Sequence, residues 1–146
     1  MKAKKILTVD DDESIRQTVT QMLELEGFEA VWAKNGRVAL DYLTATLDSE
    51  LPDLVLLDYM MPVMNGKEFF LEKAKSPRLA HIPVVMMTAN GNLVNVMDNV
   101  DAGGYMSKPM DYETVVKMVK HFLGVEEASY SAATSASVTS EPGLTL

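Results

Sequence analysis

Polar side chains stand directly after four short apolar runs of this sequence. They are Asp10, Asp11 and Asp12 after one run, Asp58 after a second, Thr88 after a third and Lys108 after a fourth. Carboxylates that lie close together repel one another and favour a hard divalent cation with oxygen ligands, for which magnesium is the natural choice. A carboxylate nucleophile, a lysine, a hydroxyl and such a cation are the groups needed to accept and hold a phosphoryl group. The sequence therefore predicts a phosphoryl-transfer site, provided that the fold brings these residues together.

The apolar pattern predicts the elements that would position these residues. Four consecutive aliphatic residues at 54–57 are typical of a strand buried on both faces of a parallel sheet, and similar runs lie at 6–9, 30–33, 84–87 and 105–107. Apolar residues at helical spacing follow each run. Five strands alternating with five helices predict a doubly wound α/β fold, in which a five-stranded parallel sheet is covered on both faces. The carboxyl ends of its strands share one edge, where ligands bind.

Several signals mark the boundaries of the predicted helices. Asp11 or Asp12, with Asp12 preferred, is expected to be the N-cap of the first helix, and Gly27 its stop. The second helix is expected to carry Leu47 on its apolar face, and the third to run from Gly66 to a break near Pro77. Glycine and asparagine weaken the helical pattern of a fourth helix around residues 93–100. A fifth helix, over residues 112–123, has a continuous apolar face.

Each polar residue also has an ordinary structural explanation when it is taken alone. Asp58 could end a strand or cap a turn, and Lys108 could be a solvated lysine in a turn. Thr88 could form hydrogen bonds with backbone groups at the end of a strand. Their coincidence on one edge of the predicted sheet makes a joint structural explanation much weaker.

Composition excludes several classes of protein. The 146 residues are 47% hydrophobic and 23% charged, which suits a soluble domain. A net charge of −8 argues against direct nucleic-acid binding, and the absence of cysteine excludes disulfides and suits a reducing compartment. We find no secretory signal or membrane-spanning stretch, and expect a cytoplasmic location without membrane partners. We expect one domain over residues 1–124 and a Ser-, Thr- and Ala-rich tail, or the start of a linker, over 125–146.

Taken in order, these residues resemble a known family. The shared motifs are Val9 with Asp10 and Asp11, Asp58 with Met61, Pro62 and Gly66, Thr88 with Ala89, and Tyr105 three residues before Lys108 and Pro109. The chain resembles the response-regulator receiver domain of two-component signalling, the CheY-like family, from about Lys4 to Gly124. The resemblance implies the flavodoxin-like strand order 2-1-3-4-5.

The resemblance also implies a role for each site residue. Asp58 would be the phosphoacceptor, and the metal ligands would be Asp11, Asp10 through water, Asp58 and the backbone carbonyl of Met60. Lys108 would bind the phosphoryl group, across a cis bond to Pro109. Thr88, with Ala89 beside it, and Tyr105 would form the switch. The implied cofactor is Mg²⁺, for which Mn²⁺ can substitute.

The implied function is a signalling phosphoacceptor rather than an enzyme with turnover of its own. A sensor histidine kinase or a histidine phosphotransfer protein would supply the phosphoryl group. Phosphorylation would change the surface around the fourth helix, fifth strand and fifth helix, and so control a downstream protein or an output domain absent from this segment.

Three features depart from the commonest pattern of the family. The stretch between Thr88 and Lys108 is short and rich in Asn and Gly, which puts the fourth helix in doubt. Gly103 and Gly104 replace an acidic pair and are expected to loosen the turn before Tyr105. Met60 cannot hydrogen-bond an attacking water, whereas Asn90 could, so we hypothesise slow intrinsic dephosphorylation.

Other functions fit the sequence less well. A binding module that keeps the receiver fold without phosphorylation has no reason to retain the complete acidic pocket. A hydrolase of the haloacid dehalogenase type needs an acidic residue two positions after the nucleophile, where Met60 stands. In a flavodoxin-like flavin carrier, the three aspartates after the first strand would repel the flavin phosphate.

Overall fold

A helix follows each of the first three strands and the last one, as the apolar pattern predicts. The computed structural model describes residues 2–89, 95–97 and 100–125. The strands are β1 (Lys5–Val9), β2 (Glu29–Ala33), β3 (Leu54–Asp58), β4 (Val84–Ala89) and β5 (Gly104–Lys108). The helices are α1 (Glu13–Leu25), α2 (Gly36–Ala45), α3 (Gly66–Ala74), the short α4 (Pro77–Ala80) and α5 (Tyr112–Leu123), with a 3₁₀ turn at Asp48–Glu50.

The five strands form one parallel sheet in the order β2-β1-β3-β4-β5, which confirms the predicted fold class. The central strand β3 pairs Leu57 with Val9 of β1 and with Met86 of β4. Every residue of β3 is buried, as expected of a parallel strand covered on both sides.

Alternate residues of the strands face two separate apolar cores. Val55 and Leu57 contribute to one core, which also contains Phe69 of α3. Leu54 and Leu56 contribute to the other, between the sheet and the helices α1 and α5. The sheet is therefore packed on both faces, and its polar strand ends are left to form a site at the edge.

The predicted ends of the first helix are confirmed. The Asp12 side chain accepts hydrogen bonds from the backbone N–H groups of Ser14 and Ile15. Gly27 follows the helix with a φ of +87°, a conformation that glycine adopts without steric cost. The acidic loop is thus joined rigidly to α1, with Asp12 committed to the cap.

One expectation about the middle of the chain was wrong, and one short helix there was not expected. Helix α2 ends at Ala45, and Leu47 is exposed over 72% of its surface rather than on the apolar face. The helix stops because Thr46 is extended and its N–H returns to the Leu43 carbonyl. The third helix ends at Ala74, near the predicted break at Pro77. Pro77 also begins the additional helix α4, because a proline suits the first turn of a helix.

The predicted fourth helix is only partly within the described residues. Asn95, Val96 and Met97 are helical, and the side chains of Val96 and Val100 are buried. The other predicted positions before Asn95, including the water-binding candidate Asn90, lie outside the described residues, as do positions 126–146 of the expected tail.

The two glycines before Tyr105 have a packing role. A Cβ atom on Gly104 would lie 2.8 Å from the Phe122 ring of α5, and one on Gly103 would lie 3.0 Å from the same ring. The N–H of Gly103 donates to the Val84 carbonyl at 3.1 Å. The structure therefore ties this turn to β4 and α5, where the sequence suggested a looser one.

Within the described part of the chain, every helix is too short or too polar to cross a membrane.

Candidate functional site

The polar residues predicted at the strand ends meet at the carboxyl edge of the sheet. Asp58 is the last residue of β3, Asp10 follows β1, and Lys108 is the last residue of β5. The Lys108 amine lies 2.8 Å from Asp10 Oδ2 and 3.1 Å from Asp58 Oδ1. One lysine thus pairs with two carboxylates that come from different strands.

Three carboxylates form a cluster suited to a cation. Asp10, Asp11 and Asp58 each offer an oxygen atom, and these oxygens all lie within 4.8 Å of one another. Asp10 and Asp58 are buried, whereas Asp11 is exposed to solvent. A set of oxygen donors with an open side fits a hard cation such as magnesium, which keeps several water ligands.

Met60 lies next to Asp58 of this cluster. Its backbone N–H donates to Asp58 Oδ1 at 3.4 Å, and its side chain is 61% exposed. The use of its carbonyl oxygen as a metal ligand stays a prediction.

The electrostatics of the cluster are unfavourable for a bare carboxylate. Burial, and then repulsion from Asp10, raise the pKa of Asp58 to about 7, although Lys108 opposes the shift. Burial lowers the pKa of Lys108, but hydrogen bonding to Asp10 and attraction to both carboxylates outweigh it, so that the pKa is raised. Lys108 is therefore charged, and an additional positive charge in the site would stabilise the ionised form of Asp58.

Thr88 brings a hydroxyl to the same edge. Its side chain is fully buried, and its Oγ1 atom has no hydrogen-bond partner among the described residues. A buried hydroxyl of this kind costs free energy until it finds a partner. Ala89, the next residue, is exposed.

Tyr105 lies on the neighbouring strand, two residues from Thr88 in register, since Met86 is its β4 partner. The Tyr105 hydroxyl donates to the Val100 carbonyl and accepts a hydrogen bond of 2.8 Å from the N–H of Ala102. Its half-buried ring packs against the core that contains Phe69. The ring is thus connected to the segment before β5, and its role as a switch stays a prediction.

The loop after Asp58 is held closely against the site. A Cβ atom on Gly66 would lie 2.6 Å from the Asp58 carbonyl oxygen, so only glycine fits there. Met61 is buried in the core, whereas Val63 is 78% exposed and adopts a φ of +70°. On the opposite side, the Lys108–Pro109 peptide bond is cis.

A mostly apolar groove of about 320 Å³ borders the site next to Lys108. Its lining comes from α1 and from the segment after β5, and includes Ile15, Thr18, Met22, Pro109 and Met110. The groove places an apolar surface beside an acidic pocket.

Sequence reasoning missed one contact of the acidic loop. The guanidinium of Arg16 donates from Nη1 to the backbone carbonyl of Asp10 at 3.0 Å and lies 4.4 Å from the centre of the Trp32 ring. An arginine in the first turn after an acidic loop is a weak signal by itself. The pairing with Trp32 depends on β1 and β2 lying side by side, which local patterns do not reveal.

Comparison with known proteins gives a consistent result. The sequence matches the family described as the response regulator receiver domain over residues 6–120. It is 36% identical over 125 residues to the sporulation initiation phosphotransferase F of Bacillus subtilis, a match covering 84% of this chain and 96% of that protein.

Other relatives are longer or known by structure. The transcriptional regulatory protein CpxR of Escherichia coli is 35% identical over 122 residues, which are 82% of this chain and 49% of that protein. The chain therefore spans about half the length of that relative. The solved structure of the chemotaxis response regulator CheY4 of Vibrio cholerae superposes with a TM-score of 0.74 at 31% identity, covering 83% of this chain and 99% of that one.

Proposed function

The chain belongs to the response regulator receiver family, and on this premise we propose that Asp58 accepts a phosphoryl group from a phosphohistidine. The observation that carries the proposal is the contact of Lys108 with both Asp10 and Asp58, at 2.8 and 3.1 Å. These contacts bring two carboxylates and a positive charge together within one small site, and the proposed transfer requires these groups. The donor would be a sensor histidine kinase or a histidine phosphotransfer protein.

The chemistry is an in-line displacement at phosphorus. An Asp58 carboxylate oxygen forms the new bond to phosphorus, and the bond to the donor's imidazole nitrogen breaks, with its electron pair returning to that nitrogen. Lys108 neutralises a phosphoryl oxygen, which requires positioning rather than proton transfer. Mg²⁺, or Mn²⁺ in its place, would be held by Asp10, Asp11, Asp58 and the Met60 carbonyl, and would supply further neutralisation of the phosphoryl charge.

The proposal includes a conformational response. The buried Thr88 hydroxyl, which has no partner among the described residues, would bind a phosphoryl oxygen and leave room for Tyr105 to turn inward. Tyr105 would then give up its hydrogen bonds to the segment around residues 100–102. This change alters the surface around β5, its preceding segment and α5, which a target protein or output domain would bind.

The groove beside Lys108 is the surface proposed for the phosphodonor. It is continuous with the site and lined by apolar side chains of α1 and of the segment after β5. A protein donor would bind in this groove, and its phosphohistidine would then face Asp58. A small phosphodonor such as acetyl phosphate would not need it.

The proposal is tested by intact mass after incubation with acetyl phosphate, with and without Mg²⁺. We expect one phosphoryl adduct that requires Mg²⁺, is lost in Asp58→Asn and is retained in the control Asp41→Asn, whose exposed carboxylate pairs with Arg37. Amide exchange of the adduct should change around residues 100–108. An adduct that persists in Asp58→Asn would contradict the assignment, and the absence of any adduct would favour a receiver-fold binding module that is not phosphorylated.

A further inference from the structure

The backbone carbonyl of Asp10 has a partner outside the acidic cluster. Arg16 of α1 donates to it from Nη1 at 3.0 Å. The other polar groups of Asp10 are also engaged. Its N–H donates to the Ala33 carbonyl, its Oδ1 accepts from the N–H of Asp12, and its Oδ2 pairs with Lys108. Arg16 thus completes a set of contacts that fixes the orientation of a buried metal-ligand candidate.

The first turn of α1 explains how Arg16 reaches this carbonyl. The N–H of Arg16 bonds to the Asp12 carbonyl, so the residue begins the regular helical ladder. Side chains of a helix point back toward its N-terminus, which directs Arg16 to the loop that precedes the helix. The same helix is capped by Asp12, and the loop is therefore held at both of its ends.

The ring of Trp32 holds the guanidinium in this position. Its centre is 4.4 Å from the Arg16 Cζ atom, a distance at which a cation is attracted to an indole face. The Arg16 Nε atom is buried without a hydrogen-bond partner among the described residues. These surroundings restrict the Arg16 side chain to few conformations, and the restriction favours its contact with the Asp10 carbonyl.

From these contacts we infer that Arg16, stacked on Trp32, is a positioning residue for the metal-binding loop. The inference rests on the proposed function, because it assigns Arg16 a role in a cation site formed by Asp10, Asp11 and Asp58. Arg16 touches neither the phosphoryl group nor the cation. It acts through the Asp10 backbone, and it connects the site to the fluorescent side chain of Trp32.

The charge of Arg16 and its positioning role have opposite effects on cation binding. A positive charge near the cluster repels Mg²⁺, so a charge effect alone would make Arg16→Met bind Mg²⁺ more tightly. Loss of positioning would make the same variant bind more weakly, because residues that orient metal ligands commonly contribute about tenfold or more to affinity. The sign of the change therefore distinguishes the two.

The experiment measures Mg²⁺ dissociation constants by titration calorimetry. The variants are Arg16→Met, Arg16→Lys and Trp32→Leu, with Arg37→Met as the control, since Arg37 pairs with Asp41 outside the site. We expect the dissociation constant to rise about tenfold in Arg16→Met and by smaller factors in Arg16→Lys and Trp32→Leu. The control should bind as the parent protein does. Urea unfolding identifies any variant that fails to fold, and Trp32→Leu, which retains Arg16, then tests the inference independently.

Trp32 fluorescence provides a readout that a merely structural role would not affect. Mg²⁺ should change the Trp32 emission of the parent protein, and this change should be lost in Arg16→Met at Mg²⁺ concentrations where calorimetry detects binding. Equal or tighter binding by Arg16→Met, or binding by Arg16→Lys equal to that of the parent, would overturn the inference. Absence of Mg²⁺ binding by the parent protein would instead refute the metal site of the proposed function.

Discussion

Replacing Asp58 with asparagine should stabilise the metal-free protein. The Asp58 carboxylate is buried beside Asp10, and its ionised form is disfavoured although Lys108 lies 3.1 Å away. Asparagine keeps the shape of the side chain and removes the charge. The residue proposed to receive the phosphoryl group is therefore also a source of instability in the unmodified protein.

The pKa of Asp58 gives the magnitude and the pH range of this effect. Its rise from 3.8 to about 7 corresponds to a penalty of roughly 4 kcal/mol for the charged form, and solvent screening at the partly open site lowers this to roughly 2–4 kcal/mol. Between these two values the folded protein binds more protons than the unfolded chain, so the stability of the parent protein falls as pH rises. The advantage of Asp58→Asn should be small near pH 4 and reach its full value above pH 7.

Urea unfolding in the presence of a chelator, repeated from acid to alkaline pH, measures the difference. Asp11→Asn is the matched control, because Asp11 is exposed in the same cluster and its replacement should have a smaller effect. Mg²⁺ should stabilise the parent protein more than Asp58→Asn, since a ligand stabilises the state that binds it. An Asp58→Asn variant that is less stable than the parent at alkaline pH, or a gain independent of pH, would refute the reasoning.

Three further predictions concern single side chains. Met60→Asn should shorten the lifetime of phosphorylated Asp58, because asparagine can orient an attacking water; an unchanged rate of decay, followed by intact mass, would count against this. Lys73 is 3% exposed, its amine reaches the Ala80 carbonyl only at 3.4 Å, and burial lowers its pKa to about 8. Lys73→Met should therefore raise the free energy of unfolding by roughly 2–3 kcal/mol at neutral pH. This gain should shrink between pH 8 and 10.5, because over that range the lysine is protonated in the unfolded chain but not in the folded protein. A gain that stays constant with pH in urea unfolding would contradict the prediction. Thr18→Arg fills the groove beside Lys108 and should slow phosphorylation by a protein donor while leaving the rate with acetyl phosphate unchanged; equal slowing with both donors would argue against docking in the groove.

The site could be predicted because parallel strands align their ends. Asp58 and Lys108 are far apart in sequence, yet each ends an apolar run, and a doubly wound sheet brings such ends to one edge. The cap at Asp12 was predictable for a similar reason, since it depends only on neighbouring backbone groups. Features determined by strand order or by local chemistry could therefore be predicted from the sequence.

Features that depend on packing between distant segments could not be predicted from the sequence. Leu47 has helical spacing from Leu43, but α2 ends before it at the extended Thr46. The carbonyls of Leu43 and Thr46 at this helix end accept hydrogen bonds from Arg78 of α4, a residue distant in sequence. The replacement of an acidic pair by Gly103 and Gly104 becomes intelligible only when the Phe122 ring is placed over them. Local patterns do not report which side chain from another element will fill a given space.

The backbone of Val63 shows that the conformation of the loop after Asp58 is determined by the residues that anchor its two ends. A β-branched residue with a φ of +70° is costly, and its exposed side chain gains nothing from burial. The conformation is imposed from both ends, by Met61 inserted in the core and by the Gly66 N–H bonded to the Tyr59 carbonyl at 2.9 Å. The anchors therefore hold the loop in a strained backbone conformation. A substitution at Met61 or Gly66 would change the position of Asp58 without altering any residue of the acidic pocket.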